Sequence, residues 1–108
     1  MHQLFIISDG TGRTAEQTVK AALTQFDNSK VVINLCPEIR KGEQVLEVVK
    51  EAELTGGFIV HTVVSKKLRN KILKYCKLHN IETIDIMGPL LAQLTNVLAH
   101  NPSETPGL

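Results

Sequence analysis

The residues best placed to do chemistry are Ser8, Asp9, Gly10, Thr11, Gly12, Arg13 and Thr14. Together they offer hydroxyls, a carboxylate, a guanidinium and two glycines. They follow the apolar run Leu4-Phe5-Ile6-Ile7 and precede Ala15, Val19, Ala22, Leu23 and Phe26, which recur at helical spacing. A glycine turn that passes from a strand into a helix aims free N–H groups and the positive end of the helix at one spot. That spot suits an anion, most often a phosphate. Arg13 could hold such a group through two parallel bonds. Thr11 and Thr14 are candidate N-caps, and Thr14 with Gln17 has capping-box spacing. Asp9 stands just after the strand, where acids often meet ligand or metal. It could equally bond N–H groups of its own turn. Ser8 has no histidine beside it, so nothing in the sequence activates it as a nucleophile.

Three readings of the 8–14 loop compete. A P-loop requires Gly-Lys-Ser/Thr after a glycine and four residues, and no Gly-Lys pair exists in the chain. The dinucleotide fingerprint fits better, since Gly10-Thr11-Gly12-Arg13-Thr14-Ala15 matches G-x-G-x-x-A. It also needs an acid at the end of the second strand. That strand ends Asn34-Leu35-Cys36-Pro37, with Glu38 beyond the proline. The third reading is a tight turn that binds nothing.

The elements that must position this loop alternate regularly. Strands are expected over 3–8, 31–36, 58–63 and 83–86, and helices over 14–26, 42–54, 66–79 and 89–100. Asp27-Asn28 and Gly56-Gly57 are turn signals. Ser65 can cap the third helix, and Gly88-Pro89 opens the fourth. The pattern predicts an α/β, three-layer Rossmann-like (flavodoxin-like) domain over 1–100. Its four-stranded, mainly parallel sheet would have order 2-1-3-4. The switch point then falls between the first and third strands, where the 8–14 loop and the 61–65 segment would meet. Residues 101–108 lose the periodic pattern and read as a tail or the start of a linker.

Other polar residues carry weaker signals. His61, inside the third strand, could be a general base or anion donor, although a strand histidine is more often a hydrogen-bonded core residue. Lys66, Lys67, Arg69, Lys71, Lys74 and Lys77 make the third helix basic. Lys67, Lys71 and Lys74 share one face, opposite a buried stripe of Leu68, Ile72, Tyr75 and Cys76. Such a face is usually just solvated, and can also dock an acidic partner. His2, His79 and His100 have no ligand spacing, so no metal site is expected. Cys36 and Cys76 read as buried thiols rather than a redox or metal pair, which suits a reducing, cytoplasmic setting.

With 12 Lys and Arg against 11 Asp and Glu, the net charge is +1, and a nucleic-acid binder would show a marked basic excess. No apolar run approaches the length of a membrane span. The chain enters its first strand almost at once, so no signal or transit peptide is expected.

Ser8-Asp9-Gly10-Thr11-Gly12, then Thr14-Ala15-Glu16, Ala21-Ala22-Leu23 and Gln25-Phe26, resembles the start of the pyruvate, phosphate dikinase and phosphoenolpyruvate synthase regulatory proteins. The likeness continues more weakly through Glu43-Gln44-Val45, Val48-Val49, Val60-His61-Thr62, Leu68-Arg69 and Pro106-Gly107-Leu108. The resemblance implies part of a bifunctional enzyme. Such an enzyme phosphorylates a threonine of its target with ADP and removes that phosphate with inorganic phosphate. It implies the dikinase or the synthase as partner, ADP or ATP and phosphate as ligands, and Arg40, which follows a proline as in a family segment, as a further anion candidate. His61 and Ser65 are second-tier anion candidates from their place at the switch point. The family's C-terminal kinase domain, with its lysine-bearing nucleotide loop, is expected to be absent from this chain. That domain would be an intramolecular partner, with a homodimer left open. The alternatives are a stand-alone phosphate- or nucleotide-binding module and a non-catalytic structural or interface domain.

Overall fold

The computed structural model describes residues 1–27 and 30–106. Asn28 of the expected turn, and Gly107 and Leu108 of the tail, lie outside the described residues. The elements run β1 (His2–Ile7), α1 (Arg13–Leu23), β2 (Val31–Cys36), α2 (Gly42–Thr55), β3 (Phe58–His61), α3 (Lys66–Leu78), β4 (Thr83–Asp85) and α4 (Gly88–Leu98). The sheet order is β2-β1-β3-β4, as the alternating pattern predicts, and every pairing is parallel.

β1 explains why the sheet has two covered faces. Its side chains alternate, as in any strand. Phe5 and Ile7 join a cluster with Val45, Val49, Ile59, Leu68, Ile72 and Cys76. Leu4 and Ile6 point the other way, to Ala15, Val19 and Val60. A strand buried on both sides must be apolar throughout, and Leu4-Phe5-Ile6-Ile7 is. α2 meets the first cluster with Val45, Val48, Val49 and Ala52, at i, i+3, i+4 and i+7. α3 brings Leu68, Ile72 and Cys76, with Tyr75 half-buried beside them. α2 stops at Gly56, whose φ of 69° is left-handed, and the N–H of Gly57 closes onto the Ala52 carbonyl at 2.8 Å. Gly57 must lack a side chain, because a Cβ there would sit 2.7 Å from the Gln3 carbonyl oxygen.

The other face departs from expectation. α1 ends at Leu23, and the amides of Gln25 and Phe26 turn back onto the carbonyls of Ala22 and Leu23. The chain therefore leaves the helix before Phe26, which is exposed, as is Ala22. The buried stripe is only Ala15 and Val19, with Leu23 packed at its margin. α4 begins one residue earlier than expected, at Gly88, with its proline second in the first turn, yet none of its residues is buried, and Leu90, Leu94, Val97 and Leu98 face solvent. Both cysteines are free. Cys76 is buried, whereas Cys36 on the edge strand β2 is only half-buried. Burial raises both thiol pKa values, and nearby Glu51 raises that of Cys36 further. No described helix is long and apolar enough to cross a membrane.

Candidate functional site

The 8–14 loop lines a cleft of about 330 Å³ at the C-terminal end of the sheet, together with Thr62, Val64, Met87, Leu91 and residues 102–105. The expected meeting of the loop with the 61–65 segment occurs. The Thr62 N–H donates to the Ile7 carbonyl, and the Val64 N–H donates to Asp9 Oδ2 at 2.9 Å.

Gly12, not a threonine, occupies the N-cap of α1, with φ 85°. A Cβ there would collide with Leu35 of β2, so this position needs glycine both for its backbone angle and for close packing. Thr14 lies inside the helix and cannot cap it. Thr11 Oγ1 accepts only a long 3.4 Å bond from the Arg13 N–H. The Ser8 hydroxyl accepts from the Gly10 N–H at 3.1 Å, which folds the loop on itself. The carbonyls of Ser8 and Gly10 take the N–H groups of Ile39 and Glu38, pinning the loop to the start of the next connection. Among the described residues, the N–H groups of Thr11, Gly12 and Thr14 are left without a protein acceptor. That is what a helix start leaves free for an anion. Arg13 and Thr14 are exposed at the rim, while Ser8 and Asp9 are 4% and 6% exposed.

Asp9 is therefore not the open-rim residue its position suggests. It bonds neither its own turn nor open solvent. It clamps β1 to the β3–α3 connection, and its carbonyl accepts from Arg40 Nε at 3.1 Å.

The three further anion candidates separate. Arg40 supports the loop from behind and pairs with Glu38 at 3.0 Å. Ser65 caps α3, accepting from the Leu68 N–H, and faces a different cavity. His61 does not line the loop cleft. It is buried, its Nδ1 lacks a hydrogen bond, and Asp85 Oδ1 lies 3.9 Å away. Burial lowers its pKa most strongly. The Asp85 carboxylate pulls it up, and the Arg69 guanidinium, 3.7 Å from Asp85, pushes it down.

Two acids escaped the sequence reading. Asp85 Oδ1 accepts from the N–H groups of Met87 and Gly88, at 3.0 and 2.6 Å, and so caps α4. Its carboxylate fills the space a Cβ on Gly88 would take. The Asp-x-x-Gly-Pro spacing carried that signal. Glu104 Oε1 accepts from the Lys66 N–H at 2.6 Å, drawing the tail across the cleft and onto the start of α3. No local pattern announces that return. Among the described residues, no group of three or more His, Cys, Asp or Glu could hold a metal ion.

A family model described as kinase/pyrophosphorylase matches residues 4–108. A relative from Shouchella clausii, named "Putative pyruvate, phosphate dikinase regulatory protein", is 37% identical over 97% of this chain and 39% of its own length. One of the same name from Geotalea daltonii is 35% identical over the whole chain and 40% of its own length. Pyruvate, phosphate dikinase regulatory protein 1, chloroplastic, of Arabidopsis thaliana is 36% identical over 93% of the chain and 26% of its own length. The chain thus spans two fifths or less of the length of these relatives.

Proposed function

The chain belongs to the kinase/pyrophosphorylase family, and from that premise we propose that its 8–14 loop holds a phosphate group. In a protein as long as the relatives, the domain would serve an ADP-dependent serine/threonine kinase and phosphate-dependent phosphorylase. The target would be pyruvate, phosphate dikinase or phosphoenolpyruvate synthase. The observation that carries this reading is the left-handed Gly12 at the start of α1. It starts the helix beside a cleft at the switch point of a parallel sheet, lined by Thr11, Gly12 and Thr14, whose N–H groups have no protein acceptor among the described residues. Arg13 supplies the cation at the rim, and Thr11 and Thr14 supply hydroxyls. The Asp9–Val64 bond keeps the loop in shape before any ligand arrives.

A second reading rests on that same bond. A carboxylate buried to hold two loops together is what a purely structural turn would also contain. Thermal unfolding with and without inorganic phosphate separates the two. A ligand at one hundred times its Kd stabilises the native state by about 2.7 kcal/mol. The binding reading expects a rise in Tm, of which Arg13→Gln removes the part that comes from the loop. No rise at any phosphate concentration leaves only the structural turn.

A further inference from the structure

A second cavity, of about 350 Å³, shares no lining residue with the loop cleft. It is lined by Arg40, Lys41, Gly42, Glu43, Ser65, Lys67, Leu68 and Lys71. Its charge is the unusual feature. Arg40, Lys41, Lys67 and Lys71 come from two separate parts of the chain, and Glu43 is the only acid among them. Among the described residues, Lys41, Lys67 and Lys71 are in no ion pair.

The cations also stand where cations are least at ease. α2 and α3 both follow parallel strands, so both start at this end of the sheet, and their positive ends face the same cavity. Lys71 is laid across the first turn of α2. A Cβ on Gly42 would lie 3.0 Å from its Cδ and 3.6 Å from its Nζ, so only glycine leaves this stem its full space. Gln44 Oε1 already accepts from the Arg40 and Lys41 N–H groups, at 2.8 and 3.0 Å. The N–H groups of Gly42, Glu43 and Lys67 belong to first helical turns and have no intrahelical acceptor. Arg40 already pairs with Glu38, and the three lysines beside two helix N-termini repel one another. A multiply charged anion relieves that repulsion and takes up the free donors.

The geometry points to this cavity as a second anion site, for the doubly charged phosphate group of a phosphate monoester or of free phosphate. Lys41, Lys67 and Lys71 are its charge partners, Arg40 sits at its rim, and the Gly42, Glu43 and Lys67 amides are its donors. The lysine stems and Leu68 give the group's carrier an apolar wall. The two cavities share no lining residue, although Arg40, at the rim of this one, also donates to the Asp9 carbonyl of the loop.

The test uses the full chain and three probes: inorganic phosphate, a phosphoserine peptide with neutral flanks, and the same peptide unphosphorylated. Amide shifts at Gly42, Glu43 and Lys67 should move with both phosphate probes and not with the unphosphorylated peptide. A tighter fit for the phosphopeptide marks the monoester as the ligand, and a tighter fit for phosphate marks the free anion. Binding should strengthen as pH rises through about 6, where a phosphate monoester gains its second charge. Lys67→Gln with Lys71→Gln should weaken it about tenfold, the scale of a lost charge-assisted bond. Lys74→Gln with Lys77→Gln removes the same charge from the same helix outside the cavity, and should leave it unchanged. Equal losses from the two pairs would reduce the effect to general surface charge and overturn the site. So would shifts confined to residues 8–14. Circular dichroism of each variant separates lost binding from lost folding.

Discussion

The two faces of the sheet are unequal. The α2–α3 face buries twelve described residues in one cluster, reaching from Phe5 and Ile7 to Cys76. The α1 face buries five, and α4 contributes none of them. Both faces belong to the same strands, so the difference lies in the helices. α2 and α3 carry apolar stripes at the spacing a flat sheet can cover. α1 has a short stripe that ends before Phe26, and Leu90, Leu94, Val97 and Leu98 of α4 point to solvent. Cohesion is therefore concentrated on one side. The loop cleft opens at the C-terminal end of the sheet, walled by Met87 and Leu91 of the thinner side. A domain built this way keeps a rigid half and leaves the rim beside the other half free to meet a ligand.

The strongest way to break this comparison is to cut the thick face. Ile72 is fully buried. Ile72→Ala should cost about 2–5 kcal/mol, a large fraction of what a small domain has. Chemical denaturation measures it. A loss below about 1 kcal/mol, the size of a tolerated core swap, would mean that this face is not the main source of cohesion.

Asp9 comes next, because it joins the site to the fold. Asp9→Ala strands the Val64 N–H, at a cost of about 1–3 kcal/mol. Asp9→Asn keeps an acceptor and should restore most of that loss. If both variants are as stable as the parent, the clamp contributes nothing.

His61 gives a smaller, pH-dependent effect. Its folded pKa lies below the ordinary 6.5, chiefly because it is buried. The unfolded chain thus takes up a proton that the folded chain resists. The stability tied to neutral His61 is complete above pH 6.5 and is lost as pH falls through the lower folded value. Asp85 opposes the shift and limits its size. Urea unfolding at pH 7 and pH 5 should show this loss, and His61→Gln should flatten it. Equal slopes for parent and variant would remove His61 from the balance.

The smallest effect is expected on α4. Leu94 is 42% exposed. Leu94→Ala should change stability by no more than about 0.5 kcal/mol. A loss approaching that of Ile72→Ala would show that the thin face is covered in solution.

The contrast between the faces also marks what the sequence could show. The β1 run, the Gly10–Gly12 turn and the α2 and α3 stripes are local patterns with one physical meaning each, and they fixed the sheet order and the place of the cleft. The failures are long-range. Asp9 looks like an open-rim acid until the Val64 amide arrives from 55 residues away. α4 has an apolar helix's composition, and composition does not say whether the sheet edge is wide enough to cover it. Glu104 returns to α3 across 38 residues, and its segment has no periodicity to betray that. Thr14 has the spacing of a cap, but Gly12, at a left-handed angle, is the N-cap two residues earlier.

The central claim is that the 8–14 loop holds phosphate, and its most direct test is an amide chemical-shift titration of the full chain with inorganic phosphate. The account predicts saturable shifts at Thr11, Gly12, Arg13 and Thr14 that Arg13→Gln weakens while the fold stays intact. Shifts absent from these residues at saturating phosphate would contradict it.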